Sequence, residues 1–463
     1  FGSRGRKALK DPAQPLGAGT RGGGEMGGAP GRPWPALRWA WFSLVFAAAM
    51  VPCEGSWRAA RMGACCVLWL RPLAARQLRR LVMVGRHSVK NPYPAEGAAL
   101  SEGVLNAPLS AYTGRPLPPF PAAPGELTPR GRLLMQHLGA YFRAHYADFF
   151  SSLPCERSAI FADPASQRDV DSAEAFAEAL LGPSACPSAV NRGASKGHLL
   201  RIFRDQPERD ALPGCGTPSS EELEALLGLG KGGEGASVAA SWLRVYRRQL
   251  GIIQDQTRCC SQEACGSGGA GAGTELCTLF TLPMALAPNV TWRAVGGALG
   301  VASAFAEIFE MQMCEGIEAG WGLREEDVVE LLSLIEVPSL EAGANSITAR
   351  HLGADLMEEL LGVLAPAQSE TAPAVSVYFG HDTNLEFLRK MLGLTWLSEG
   401  WWPNIAEPGA QLVFEVYSEG PVAEGETVRL LKVAATPQQQ RRATPLSSAA
   451  PPSVTPLWIP GCG

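Results

Sequence analysis

Several features that mark common classes of protein are missing from this 463-residue sequence. It has no HExxH segment and no pair of CxxC motifs, the spacings typical of zinc sites, so no metal ion is expected. Glycine-rich stretches at 228–233 and 266–271 fit GxGxxG, but neither follows a strand and opens a helix. No cofactor is therefore expected. The net charge of −5 gives no reason to expect nucleic acid as a partner.

The composition is that of a folded protein with a substantial core. Hydrophobic residues make up 46% of the chain and charged residues 18%, which is enough for one large domain or two ordinary ones. No internal repeat is evident. The 12 cysteines, many beside Gly, Ser or Pro, favour an oxidising compartment over a cytosolic one.

The first 80 residues differ from the rest, and we expect them to form a disordered extension. Residues 1–35 are rich in Gly, Pro and Arg and lack apolar periodicity. Arg38 then precedes a short apolar run with small residues, which predicts a signal-peptide core at 38–52. The run is short for a spanning helix of ~20 residues, so no stable membrane span is expected. We predict a secreted or luminal protein (periplasm-like, extracellular or vacuolar), with a membrane anchor at 39–52 or a wrong gene start as alternatives.

Hydrophobic patterns divide the remaining chain into an α/β region and a helical insertion. Short apolar runs predict buried strands at residues 81–84, 159–162, 375–379 and 412–416. Helical spacing follows Thr128 and dominates the regular segments between 185 and 340. We therefore predict an α/β domain built from residues 81–184 and 341–463, with a mostly α-helical cap domain at 185–340.

Two short polar segments follow two of the predicted strands. RHSVKNP occupies residues 86–92 and GHDTNL occupies residues 380–385. Because α/β sheets place ligand sites beyond the carboxyl ends of their strands, we expect the two segments to meet there. They would bring together two histidines, at least two cations and one carboxyl group. Such a set is suited to binding a phosphate and transferring it through histidine.

These segments resemble the signatures of the histidine acid phosphatases, the acid phosphatase/phytase branch of the histidine phosphatase superfamily. The family has Arg-His-Gly-x-Arg-x-Pro near the start and His-Asp near the end, and the likeness is greatest to bacterial periplasmic phytases and glucose-1-phosphatases. The second motif matches fully, whereas the first departs at Ser88, for glycine, and at Lys90, for arginine. Further matches occur in order at residues 127–131, 160–163, 174–176, 321–322, 409–415, 444–447 and 459–462. The resemblance implies an α/β sandwich of the phosphoglycerate-mutase-like type with an α-helical inserted domain.

The resemblance also implies roles for polar side chains of the two segments and for two arginines outside them. His87 would be the nucleophile, because a neutral imidazole can attack phosphorus and carry the phosphoryl group as phosphohistidine. Asp382 would protonate the leaving alcohol. The groups that would hold phosphate oxygens are Arg86, Lys90, Arg168 and His381. Thr383 and Arg350 are weaker candidates on the substrate side.

Some of these roles have structural alternatives. Lys90 keeps the charge of arginine but lacks its planar fork, and Ser88 adds a side chain where glycine lets a backbone come close. Both departures are compatible with a slower enzyme or a non-catalytic relative. Asp382 is also a good helix cap, which would stabilise its anion, whereas a bound phosphate would raise its pKa. With Asp382 protonated and His87 unprotonated, activity is expected at acidic pH.

Three disulfides are implied by the resemblance. The expected partners are Cys155 with Cys186, Cys215 with Cys462, and Cys277 with one of Cys259, Cys260 or Cys265. The sequence NVT at 289–291 is an N-glycosylation sequon, which has meaning only if the chain is secreted in a eukaryote.

We therefore predict an acid phosphomonoesterase whose partner is a small phosphate monoester such as phytate or a sugar phosphate. Two alternatives stay open. Ser88 and Lys90 are compatible with a phosphate-ester binding protein that has lost turnover, and a phosphomutase would use the same phosphohistidine. Binding of an aryl phosphate without hydrolysis would favour the first, and phosphate transfer to a second sugar phosphate would favour the second. The oligomeric state does not follow from the sequence.

Overall fold

The computed structural model describes residues 76–94, 109–182, 190–204, 241–259, 278–282, 297–336, 346–365, 372–418 and 426–462. All of them belong to one compact unit, Leu70–Gly463. The predicted signal-peptide core and both glycine-rich stretches lie outside the described residues. In the part of the chain that is described, no helix combines the length and the apolar character needed to cross a membrane.

A mixed sheet of six strands forms the centre of the described structure. The strands are β1 (Gln77–Arg86), β2 (Ser158–Ala162), β3 (Val375–Gly380), β4 (Gln411–Ser418), β5 (Glu426–Ala434) and β6 (Ser453–Leu457). Their order is β2-β3-β1-β4-β5-β6. β3 runs parallel to β1 and β2, whereas β4, β5 and β6 pair in antiparallel fashion, with β4 beside β1. β1 and β3 are therefore neighbours that end at the same edge of the sheet.

The central strand is longer than its apolar run. The strand predicted at 81–84 is present and buried, but β1 begins at Gln77 because its pairing with β4 continues beyond the apolar residues to Ser418. Residues 77–80, which we assigned to the extension, thus belong to the strand. β5 and β6 were not predicted, since the first half of β5 and all of β6 are largely exposed and lack a buried apolar run.

Helices cover both faces of this sheet. Their bounds are α1 (Pro129–His145), α2 (Ala147–Ser151), α3 (Gln167–Leu181), α4 (Lys196–Ile202), α5 (Arg247–Thr257), α6 (Gly297–Glu315), α7 (Glu325–Leu331), α8 (Ser333–Ile335), α9 (Ser346–Leu364), α10 (Asp382–Leu392) and α11 (Pro437–Arg442). α1 and α3 pack on one face, against Met83 and Val377. α4, α9 and α10 pack on the other, against Val84 and Tyr378. The alternation of side chains along β1 and β3 supplies both cores, which confirms the predicted α/β sandwich.

A third core is built around α6. Leu299, Phe305 and Phe309 of this helix are fully buried and pack with residues of α5, α7 and α8. The insertion is thus helical where the structure describes it, as its spacing indicated. The division into a catalytic domain and a separate cap at 185–340 stays a prediction.

The start of α1 follows its sequence signals and supports the loop after β1. The Thr128 hydroxyl accepts a hydrogen bond from the Gly131 N–H at 2.9 Å, and Pro129 occupies the first helical position. A Cβ on Gly131 would lie 2.3 Å from the Val89 carbonyl oxygen, so only glycine lets the helix come this close. α1 therefore buttresses the backbone between His87 and Lys90.

The cysteines agree with the expectation only in part. Cys155 and Cys259 are disulfide-bonded, while Cys186 and Cys277 lie outside the described residues, so their pairings stay predictions. The expected Cys215–Cys462 bridge is wrong for this structure, because Cys462 carries a free thiol. Cys462 lies in an exposed turn after β6, held by its own backbone bond to the Ile459 carbonyl.

Candidate active site

Pairing of β1 with β3 brings the two polar segments together. Arg86 is opposite Gly380 in the parallel register, and the His87 N–H donates to the Gly380 carbonyl at 2.9 Å. The rings of His87 and His381 then lie with their centroids 5.8 Å apart at an interplanar angle of 74°. The geometry expected at the carboxyl edge of the sheet is therefore present.

His87 is held as a neutral imidazole with one free nitrogen. Its Nδ1 lies 2.8 Å from the Ser88 carbonyl oxygen, and because a carbonyl only accepts, Nδ1 carries the proton and Nε2 has a lone pair. The residue is 3% exposed. Burial lowers the pKa of His87 well below its usual range, and the positive charges of Arg168 and Arg86 lower it further. The ring therefore stays unprotonated in mildly acidic solution.

His381 is oriented by groups on both of its nitrogens. Its Nε2 lies 3.3 Å from Asp163 Oδ2, and its Nδ1 lies 3.3 Å from an amino group of Arg168. Arginine can only donate, so Nδ1 accepts and Nε2–H faces the Asp163 carboxylate. The His381 N–H also donates to Asn384 Oδ1 at 2.9 Å, which fixes the turn into α10. Arg168 of α3 and His381 thus form a polar wall beside His87, which we call the α3 wall.

Arg86 lies next to α6, as does Lys90, and the two form what we call the α6 wall; Arg86 is surrounded by acceptors. One of its terminal nitrogens donates to the Ala406 carbonyl at 2.7 Å and lies 3.7 Å from the carboxylate of Glu310. The other lies 3.5 Å from Asp382 Oδ2. The Asp382 side chain therefore lies next to the guanidinium expected to bind phosphate.

Asp382 is the first residue of α10, while His381 occupies the cap position before it. Its Oδ1 accepts the N–H of Thr383 at 2.9 Å. The expectation that Asp382 caps the helix is therefore wrong, because His381 takes that position; one carboxyl oxygen of Asp382 accepts from the next N–H, and the second lies 3.5 Å from Arg86. The two contacts of Asp382 use different atoms.

Lys90 is directed to a carboxylate. Its Nζ lies 2.9 Å from Glu307 Oε1 on α6. Ser88, the other departure from the family signature, is fully buried, and its N–H donates to the Ser172 hydroxyl at 3.2 Å. The positive charge of Lys90 is thus held in an ion pair on the α6 wall.

The two weaker candidates differ in their surroundings. Thr383 is buried at the start of α10, next to Asp382. Arg350 is exposed on α9, and none of the contacts described joins it to His87 or His381. Thr383 belongs to the second segment itself, and a substrate-side role of Arg350 stays a prediction.

Two buried carboxyl groups that we did not predict contact these walls: Asp169 the α3 wall and Glu310 the α6 wall. Asp169, on the first turn of α3, has its Oδ2 3.4 Å from His381 Nδ1, and burial raises its pKa. Glu310, on α6, is 1% exposed, and burial raises its pKa to about 8 although Arg86 opposes the shift. Weak sequence signals were present, because Asp169 follows Arg168 directly and Glu310 lies in a mostly apolar helix.

Three of these side chains also have the geometry of a metal cluster. His87, Asp169 and His381 each offer one ligand atom, and these atoms lie within 4.8 Å of one another. The guanidinium of Arg168, 3.3 Å from His381 Nδ1, places a positive charge beside the same point and disfavours a cation there. The arrangement is better suited to an anion that carries a proton.

Comparisons with known proteins identify relatives of this chain. The family model described as the histidine phosphatase superfamily (branch 2) matches residues 77–211 and 295–433. Phytase AppA from Escherichia coli is 30% identical over 404 residues, covering 83% of this chain and 87% of that protein. Glucose-1-phosphatase from Salmonella typhimurium is 23% identical over 395 residues, covering 83% and 88%.

Solved structures share the fold. The phytase from Citrobacter braakii superposes with a TM-score of 0.66 at 24% identity, covering 84% of this chain and 93% of that one. The Hafnia alvei phytase in complex with myo-inositol hexakis sulphate also gives a TM-score of 0.66 at 24% identity, covering 84% and 92%. At these identities the likeness supports the architecture.

Proposed function

Because the chain belongs to branch 2 of the histidine phosphatase superfamily and is a phosphomonoesterase of its acid phosphatase/phytase family, we propose that it hydrolyses phosphate monoesters through a phosphohistidine on His87. The reaction would run at acidic pH and without a metal ion. Its substrates would be small esters.

The observation that carries the proposal is the state of the His87 ring. Its Nδ1 is occupied by the Ser88 carbonyl at 2.8 Å, and its low pKa leaves Nε2 free as a nucleophile in acid, where most histidines are protonated. The same acidity favours a protonated Asp382 once a phosphate lies beside it. One pH range therefore supports both the nucleophile and the acid.

In the proposed first step, His87 Nε2 forms a bond to phosphorus as the bond from phosphorus to the ester oxygen breaks. Asp382 gives its proton to that oxygen, which leaves as an alcohol. In the second step, water attacks the phosphorus of phosphohistidine, Asp382 accepts a proton from the water, and the bond to Nε2 breaks. The products are phosphate and the starting histidine.

Negative charge on the transferring group would be neutralised chiefly by Arg86 and Arg168, since His381 is neutral and directs its N–H at Asp163. Arg168 has the geometry best suited to this role, since its guanidinium faces His381 Nδ1, an acceptor without charge, at 3.3 Å. Lys90 would contribute less, because Glu307 already holds its ammonium at 2.9 Å.

The proposed substrates are phytate, sugar phosphates or similar esters. The Escherichia coli relative is a phytase and the Salmonella typhimurium relative a glucose-1-phosphatase, and this chain resembles both along most of its length. Disulfides at Cys155 and Cys259 support an oxidising, secreted or luminal location.

The proposal is tested by hydrolysis of an aryl phosphate from pH 3 to 8, with and without a chelator. The protein should be active on the acid side and insensitive to the chelator. His87→Ala should lose at least about 1,000-fold in kcat, since the covalent route is removed, and His145→Ala, on the exposed end of α1, is the matched control. Chelator-sensitive activity, or a His87→Ala variant that keeps its rate, would overturn the mechanism.

A second candidate is a phosphate-ester binding protein without turnover. The observation in its favour is the Lys90–Glu307 ion pair, which engages the cation standing at the family's arginine position. Calorimetric binding of phosphate by a folded protein that does not hydrolyse the aryl ester would establish this candidate.

A further inference from the structure

We propose that Asp169 makes the site select a phosphate group that carries a proton, and that the protein thereby distinguishes phosphate from sulfate. The inference rests on the proposed function, since it assumes that phosphate binds beside His87. It concerns which protonation state of the substrate the site accepts.

The Asp169 carboxylate lies inside the site. Asp169 is 0% exposed on the first turn of α3, and its Oδ2 is 3.4 Å from His381 Nδ1. One atom from each of Asp169, His381 and His87 falls within 4.8 Å of the others. A phosphate that receives the attack of His87 and contacts His381 must therefore come close to this carboxylate.

In the tautomers described above, the unprotonated nitrogens of His87 and His381 are acceptors, like the oxygens of Asp169. His87 Nε2 carries a lone pair because Nδ1 holds the proton, and His381 Nδ1 accepts from Arg168. Neither oxygen of Asp169 accepts a hydrogen bond of normal geometry from the described residues. Ser166 is close enough to lower the pKa of Asp169 but does not make such a bond. The carboxylate is thus a buried acceptor that lacks a donor, which is costly unless a ligand supplies one.

A phosphate monoester supplies this donor in acid. Its second pKa is about 6, so below that pH one of its oxygens carries a proton that can be donated to a carboxylate. A fully ionised phosphate, or sulfate, offers only acceptor oxygens to Asp169 and meets charge repulsion as well. The site therefore favours the monoanion of the ester, and sulfate is rejected because it has no proton to give.

The charges around Asp169 set the pH range of this selection. Arg168 on the same helix and His381 before α10 favour its anion, whereas Asp163 after β2 opposes it. Burial raises the pKa of Asp169 most strongly. At sufficiently low pH Asp169 takes up a proton itself and can donate to sulfate, so the preference for phosphate should be greatest at intermediate acidity and disappear below it.

The test compares inhibition by inorganic phosphate and by sulfate between pH 3 and 7, with calorimetry as a second readout. In the unaltered protein, phosphate should bind at least about 100-fold more tightly than sulfate at the pH of this range where the ratio is greatest, since a site built around one hydrogen bond rejects an analogue that cannot make it. In Asp169→Asn the amide can donate, so the ratio should fall to about tenfold or less. Asp171→Asn, on the same helix and bonded to Gln167, should keep the original ratio.

Equal affinity of the unaltered protein for phosphate and sulfate throughout pH 3 to 7 would overturn the inference, as would an Asp169→Asn variant with an unchanged ratio. If Asp169→Asn does not fold, the phosphate-to-sulfate ratio of the unaltered protein across the pH range still decides. A protein that hydrolyses aryl phosphate but binds sulfate equally well refutes the role of Asp169 alone. A protein that binds phosphate selectively without hydrolysing any ester refutes the proposed function alone.

Discussion

The α6 wall and the α3 wall of the site use their cations differently. On the α6 wall, Lys90 is paired with Glu307 at 2.9 Å, and Arg86 lies 3.5 Å from Asp382 and 3.7 Å from Glu310. On the α3 wall, Arg168 faces the uncharged Nδ1 of His381 at 3.3 Å. A guanidinium that bonds a neutral ring is more available to phosphate than an ammonium in a 2.9 Å ion pair, although the Asp169 carboxylate also attracts Arg168. We therefore expect Arg168 to contribute more to phosphate binding than Lys90.

The largest expected difference between the walls is therefore between Arg168→Ala and Lys90→Ala. Removing Arg168 should lower kcat/KM at least about 100-fold, because a charge-assisted fork to the phosphate is lost, whereas removing Lys90 should cost about tenfold or less. Steady-state kinetics with an aryl phosphate at pH 5 checks both. Arg168→Lys, which keeps the charge without the fork, should fall between them. Equal losses for Arg168→Ala and Lys90→Ala would remove the distinction between the walls.

The second prediction concerns how the buried carboxyl group of Glu310, on the α6 wall, makes stability depend on pH. Burial raises the pKa of Glu310 to about 8, above the usual range of a glutamate, so the folded state holds a proton that the unfolded chain releases. Stability therefore falls as pH rises from about 5 to 8, by an amount on the order of 3 kcal/mol, since one pKa unit corresponds to ~1.4 kcal/mol.

Glu310→Gln, which mimics the protonated acid, should reduce that fall. Denaturant unfolding at pH 5 and pH 8 measures it, with Glu326→Gln on α7 as a control that should behave like the unaltered protein. A Glu310→Gln variant whose stability declines with pH as steeply as the original would show that this carboxyl group is ionised in the folded state.

The smallest effect is expected from restoring the family residue at position 90. Lys90→Arg should raise kcat/KM by only a few fold, because Glu307 would still compete for the new guanidinium. Adding Glu307→Gln should raise the gain further. Ser88→Gly is tested in parallel. A gain from Ser88→Gly alone would mean that the close approach of the backbone at residue 88, not the cation at residue 90, limits the rate. Kinetics of the three variants under one set of conditions distinguishes these cases.

The meeting of the two polar segments at one edge of the sheet could be predicted from the sequence, because each segment directly follows an apolar run that is typical of a buried strand. The runs before His87 and His381 are apolar and the segments after them are polar, so the parallel pairing of β1 with β3 was the natural consequence. β5 and β6 were missed since they depend on pairing partners more than on their own apolar pattern. Asp169 and Glu310 were missed for a related reason, since acids on helices are usually solvated. Only the tertiary fold shows that Asp169, in the first turn of α3, is buried against a histidine, and that Glu310, in the middle of α6, is buried beside Arg86.

The departures at Ser88 and Lys90 show the same limit. The sequence indicated that the planar fork of arginine was lost, but not where the ammonium would go. The ion pair with Glu307 depends on how α6 crosses the loop after β1, and that crossing is set by the third core around Leu299, Phe305 and Phe309. The electrostatic difference between the walls is therefore a property of packing between distant segments.

The most direct test of the account is to trap the covalent intermediate. The protein would be mixed with a labelled aryl phosphate at pH 5, quenched in alkali during turnover, and digested for mass spectrometry. The account predicts one phosphoryl group on the peptide that contains His87, and none in His87→Ala. Turnover with no phosphorylated peptide, or with the phosphoryl group on a different residue, would contradict it.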